Sequence, residues 1–104
     1  MLGLIVRFNL KDAEAAQKFD ALVAEISRQV ESSEPGTLLY VVNTVEGAPL
    51  SRIFYEVYAD GDAFEAHEAT EHIKYFLNER ERYITDLRVE FVTPVSGKNR
   101  PDVR

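Results

Sequence analysis

TLLYVVNTV (37–45) and SRIFYEVYA (51–59), separated by Glu46-Gly47-Ala48-Pro49, decide the fold of this chain. Both runs are rich in β-branched and aromatic residues, and the short break between them predicts an antiparallel hairpin. In the first run Leu38, Tyr40 and Val42 point one way while Leu39, Val41 and Val45 point the other. In the second, Phe54 and Tyr58 oppose Ile53, Tyr55 and Val57. A sheet covered on one side only should alternate apolar with polar, and these strands are apolar on both faces. Leaving one face bare would expose more apolar surface than monomers usually tolerate. A second copy of the same sheet, related by a two-fold axis, is the economical cover, so a homodimer through the sheet face is expected.

Upstream, Leu2, Leu4, Val6 and Phe8 alternate with Gly3, Ile5, Arg7 and Asn9, which predicts a strand over 2–9. Asp12 then caps a long helix whose apolar stripe is Ala16, Phe19, Val23, Ile26 and Val30, with Leu22 beside it. The helix stops near Ser32-Ser33, before the turn-forming Glu34-Pro35-Gly36. Downstream, Asp62 and Glu65 have capping-box spacing for a short helix over 63–69. Thr70 recaps a second piece over 71–80, and LRVEFVTPV (87–95) is the last strand. The order β-α-β-β-α-β is the ferredoxin-like plan of an α+β domain, with a four-stranded antiparallel sheet under one layer of helices. An apolar pocket is expected between sheet and helices. The domain is expected to span 1–95, leaving the polar stretch 96–104 as a flexible tail.

With 104 residues the chain is a single domain, large enough to bury a core unaided. It has no cysteine, which excludes disulfides, zinc-thiolate sites and thiol nucleophiles. Eighteen acids against twelve bases give a formal net charge of −6, so a polyanion is repelled and no nucleic-acid partner is expected. No apolar run approaches the ~18 residues of a membrane helix, and no leader precedes the first strand. A soluble, cytoplasmic protein without a membrane partner is the resulting expectation.

The segment His67-Glu68-Ala69-Thr70-Glu71-His72 superficially resembles a zinc-protease helix. Two histidines four apart would share one helical face, whereas positions 67 and 72 are separated by roughly 140° on a continuous helix. No protein-bound metal is expected. Phe54 and Tyr58 have the spacing of an RNA-recognition strand, but Glu56 lies between them, the glycine of that motif is missing and the domain is acidic. No glycine-rich phosphate loop or Rossmann fingerprint is present, so no cofactor is expected. What remains is Glu56, His67 and His72 among aromatic residues. A carboxylate in a strand built for burial either turns to solvent, pairs with Arg7, Arg52 or Arg88, or sits in a cleft with a displaced pKa. The histidines read either as helix-end residues bonded to backbone or as acid–base groups.

The run Tyr55-Glu56-Val57-Tyr58-Ala59-Asp60, followed by Ala63-Phe64, His67, Thr70-Glu71-His72 and Phe76, resembles the antibiotic biosynthesis monooxygenase family over roughly 2–95. Glu34-Pro35-Gly36 ahead of Tyr40 fits the same pattern. The resemblance implies a dimeric α+β barrel. It also implies one of several activities, with cofactor-independent monooxygenation of quinols or polycyclic phenols by O2 favoured. Isomerisation of a small phosphorylated diketone, with Lys74 or Arg52 as phosphate anchor, and a non-catalytic ligand-binding dimer are the alternatives. The haem-degrading branch uses an Asn, a Trp and a His, and this chain has no tryptophan. On the oxygenase reading His72 is the expected base, oriented by His67 or Glu56. Tyr40 and Tyr58 are then hydrogen-bond donors to substrate, and Phe54 and Phe76 apolar walls.

Overall fold

In a computed structural model, which describes residues 1–98, the chain forms β1 (Leu2–Leu10), α1 (Ala13–Ser33), β2 (Thr37–Val45), β3 (Ala48–Tyr58), α2 (Gly61–Ala69), α3 (Glu71–Glu79) and β4 (Ile84–Val92). A single 3₁₀ turn, Arg80–Arg82, separates α3 from β4. The four strands make one antiparallel sheet in the order β2-β3-β1-β4. This is the α+β, ferredoxin-like arrangement that the element order predicts.

The alternation in β1 works as expected. Leu4, Val6, Phe8 and Leu10 are buried toward the helices, and the α1 stripe of Ala16, Phe19, Val23, Ile26 and Val30 packs onto them. Asp12 caps α1, its Oδ1 accepting from the Ala15 amide at 2.7 Å. Phe8, Phe19, Phe54 and Phe76 meet edge-on, tilted or stacked, with centroids 4.8–6.1 Å apart. Such ring pairs add stability beyond the area they bury.

Three elements start two or more residues before the positions read from sequence. β3 begins at Ala48, so only Glu46-Gly47 joins the hairpin, with Gly47 at a φ of 77° that favours glycine. Pro49 is tolerated because β1 pairs with β3 no further than Ser51, and the register shifts at Thr44/Val45 opposite. β4 runs from Ile84 to Val92, not 87–95. Polar Thr85 and Asp86 belong to it because a bulge at Asn9/Leu10 lets Thr85 Oγ1 donate to the Asn9 carbonyl at 3.2 Å, while Asn9 donates to Asp86. α2 starts at Gly61 under a different cap, since Asp60 accepts from the Ala63 amide at 2.8 Å.

Register places Ile5, Val41, Ile53, Tyr55 and Val57 on the sheet face away from the core. Val57 is fully buried, but Ile5, Ile53 and Tyr55 are partly exposed and Val41 is exposed. Arg7, Arg88 and Glu90 make the same face polar toward β4. No helix among the described residues is long and apolar enough to cross a membrane. Most of the expected tail, 99–104, lies outside the described residues.

Candidate active site

The turn after α1 brings the key carboxylate inside. Glu34 is the C-cap of α1, its amide bonded to the Val30 carbonyl, and its side chain is only 6% exposed. Gly36 lets this turn lie against α2, since a Cβ at that position would fall 2.7 Å from the Ala63 Cβ. The Gly36 carbonyl accepts from the Ala59 amide at 2.9 Å, which ties the turn to the end of β3.

Thr70 ends α2 and caps α3. Its backbone is extended (ψ 150°), its Oγ1 donates to the His67 carbonyl at 2.8 Å and accepts from the Ile73 amide at 3.3 Å. The break cancels the angular separation that a continuous helix would impose on His67 and His72. Both imidazoles turn to Glu34: His67 Nδ1 lies 2.6 Å from Oε1, and His72 Nε2 bonds to Oε2. Thr37 Oγ1 donates to Oε1 at 2.7 Å.

Burial alone would push the Glu34 carboxyl up, but the hydrogen bonds from Thr37, His67 and His72 outweigh it and hold the group below the ordinary carboxylate value. An ionised carboxylate only accepts, so both facing ring nitrogens carry protons. An imidazole that carries one proton, on Nδ1, has its lone pair on Nε2, and His67 Nε2 lies 3.9 Å from Glu56 Oε1.

His67 Nε2 and Glu56 meet in a cavity of about 260 Å³ between the sheet and the helices, the expected place. Leu4, Val6 and Phe8 of β1, Phe54 of β3, Tyr40 of β2, and Ile73, Phe76 and Leu77 of α3 line it. Phe64, Glu68, Arg80, Val89 and Phe91 complete the lining. Phe91, on the edge strand β4, is 62% exposed and packs edge-on against Phe64.

Glu56 takes none of the expected arginine partners. Arg7 bonds Ser51, Arg88 pairs with Glu90, and Arg52 is held bidentately by Asp20 at 2.9 Å. Glu56 Oε1 instead accepts from the Tyr58 hydroxyl at 2.5 Å. Burial pushes the Glu56 carboxyl above its ordinary value, against the opposing pull of Tyr58 and His67. Burial, reinforced by the Glu56 charge, likewise raises the Tyr40 and Tyr58 phenols, so both remain protonated donors.

Of the residues singled out in the sequence, His67, Glu56, Tyr40, Phe54 and Phe76 line the cavity. Tyr58 lies behind Glu56. His72 is not among the residues lining the cavity and bonds the other Glu34 oxygen, Oε2. Lys74 and Arg52 do not line it either; its cation is Arg80. Sequence reading missed Glu34, which looks like a turn residue, and Arg80, which looks like part of a solvated charge run. No group of three or more His, Cys, Asp or Glu side chains placed to hold a metal occurs among the described residues.

No curated protein matches the chain. Solved structures do. One from Caulobacter crescentus, described as a candidate antibiotic biosynthesis monooxygenase, superposes with a TM-score of 0.84 at 22% identity over 91% of this chain and 90% of that one. One of the same description from Bacteroides thetaiotaomicron gives 0.84 at 23%, covering 99% and 93%. A third, from Chloroflexus aurantiacus, gives 0.76 at 25%, covering 94% and 96%. The family model for antibiotic biosynthesis monooxygenases matches residues 1–79, three-quarters of the sequence. The chain belongs to the antibiotic biosynthesis monooxygenase family.

Proposed function

We propose that the cavity is the active site of a cofactor-independent monooxygenase acting on quinol- or phenol-type substrates. The observation that carries this reading is the Glu34–His67 pair, which fixes the tautomer and aim of an imidazole opening onto an apolar, ring-lined cavity. Family membership supports a monooxygenase-like small-molecule enzyme.

His67 Nε2 removes the phenolic proton, and Glu34 steadies the imidazolium that forms. The base role thus moves from His72, the residue expected from sequence, to its neighbour on Glu34. The electron-rich phenolate passes an electron to O2, and recombination forms a carbon–peroxide bond on the ring. The base then takes the proton from the carbon that bears the peroxide, and the O–O bond breaks: one oxygen stays on the product as a quinone carbonyl and the other leaves as hydroxide, protonated to water. Substrate plus O2 therefore equals quinone plus water, without an added reductant. Glu56, held toward its protonated form by burial, is placed to protonate the departing oxygen. Tyr40 supplies a hydrogen bond to the developing oxyanion, and the phenylalanine walls exclude water.

The partly exposed Ile5, Ile53 and Tyr55 and the exposed Val41 support a homodimer through the outer sheet face. Oxygen uptake across a panel of quinols and hydroxylated fused aromatics tests the activity; no uptake on any member would contradict it.

A further inference from the structure

Arg80 is the cation in the cavity wall, and the proposed chemistry leaves it unused. It follows α3, where a solvent-facing arginine would be ordinary, yet its side chain is only 22% exposed and lines the cavity. The guanidinium lies over two rings, its Cζ 5.6 Å from the centroid of Phe8 and 5.8 Å from that of Phe76. Its Nε is buried and has no hydrogen-bond partner among the described residues. Among the described residues one carboxylate oxygen comes within 4 Å, Glu81 Oε2 at 3.9 Å, and Glu81 is itself 67% exposed. Burial pulls the Arg80 pKa below its ordinary value, with Glu81, Glu68 and Glu56 acting against that pull. A buried guanidinium N–H is normally matched by an acceptor, and Arg80 Nε has none among the described residues.

Arg80 and His67 lie at separate places along the lining. The ring contacts Tyr40–His67 at 5.9 Å, Tyr40–Phe54 at 5.9 Å and Phe54–Phe76 at 6.1 Å run from the imidazole to the ring beneath the guanidinium. A ligand lying against these rings would meet both the imidazole and the forked cation.

We propose that Arg80 binds an oxyanion on the ligand, and that the cavity takes hydroxylated aromatic carboxylates with the carboxylate on Arg80 and the hydroxyl at His67. The placement of the hydroxyl rests on the monooxygenase reading; the anion site does not. A carboxylate fits better than a phosphate, because one guanidinium matches one charge and a dianion would bring a surplus beside Glu68.

Fluorescence titration with 6-hydroxy-2-naphthoate, 2-naphthol and 2-naphthyl phosphate tests this without requiring turnover. The wild type should bind the carboxylate about tenfold or more tighter than 2-naphthol. Arg80→Met should abolish that preference while leaving 2-naphthol affinity unchanged. Arg80→Lys, which keeps charge but not the fork, should retain a reduced preference and serves if the methionine variant does not fold. Equal binding of carboxylate and naphthol, no binding of the carboxylate, tighter binding of the phosphate, or a preference that survives Arg80→Met would each overturn the proposal. His67→Ala should keep the carboxylate preference. A wild-type preference without oxygen uptake would uphold the anion site and remove the oxygenase reading.

Discussion

His67 and His72 stand five residues apart, yet meet on opposite oxygens of one carboxylate, that of Glu34. The helix break at Thr70 makes this possible, and the division of labour follows from it. His67 keeps a second nitrogen toward the cavity, whereas His72 braces Glu34 from outside the lining.

Glu34→Gln removes the charge while keeping the shape. Turnover should fall roughly 10²-fold with little change in KM, because the amide neither enforces the tautomer nor stabilises the imidazolium. Stability should fall by about 1–3 kcal/mol, since buried polar partners lose their acceptor. The folded Glu34 carboxyl titrates below its unfolded value of about 4.5. Its contribution is therefore fully present above that value and lost as pH falls through the lower folded one. Urea melts at pH 7 and pH 3 should show the wild type's advantage over Glu34→Gln shrinking at the lower pH. An advantage of equal size at both would contradict the ionised assignment.

Glu56 behaves oppositely. Its folded carboxyl titrates above its unfolded value, so the folded state holds its proton more tightly and the ionised group weakens the fold as pH rises. Glu56→Gln should accept the Tyr58 hydrogen bond and stabilise the protein by about 1 kcal/mol at pH 8, less at pH 4. Turnover should drop at the same time. Loss of stability at pH 8 would show that the ionised form is the favoured one.

Gly36→Ala should separate the turn from α2. The added Cβ would stand 2.7 Å from that of Ala63, and overpacking of this kind costs about 1–3 kcal/mol. Because the turn carries Glu34 and α2 carries His67, activity should fall too. Ala63→Gly in the same chain should restore part of both, which a melting curve and a rate assay would show. No restoration would mean that the contact is not what limits either.

The outer sheet face predicts an assembly of twice the 11.8 kDa chain mass. Light scattering at micromolar concentration should report the dimer, and Tyr55→Glu should shift it toward monomer. A wild-type mass of one chain would refute the cover by a second copy.

The periodic parts of this structure are legible in sequence because a repeating apolar stripe carries its own redundancy. Asp12, the α1 stripe and the alternation of β1 fall where periodicity puts them. Boundaries depended on single interactions instead: Thr85 enters β4 through one bulge bond to Asn9, and Pro49 enters β3 where β1 does not pair. The cavity's ring walls were readable as aromatic residues at strand and helix spacing. Its chemistry was less so. Glu34 is far in sequence from both histidines, and only tertiary closure over Gly36 makes it their shared acceptor. Helical geometry correctly separates positions 67 and 72, and the extended backbone at Thr70 overrides it. A sharper signal was the threonine itself, since one able to cap the next helix can also end the one before.

Oxygen consumption by wild type and His67→Ala, on a hydroxylated aromatic that the wild type turns over, tests the central assignment most directly. His67→Ala should lower the rate roughly 10²-fold or more while remaining folded, whereas His72→Ala should retain a larger share of it. A folded His67→Ala variant consuming oxygen at the wild-type rate would contradict the assignment of His67 as the base.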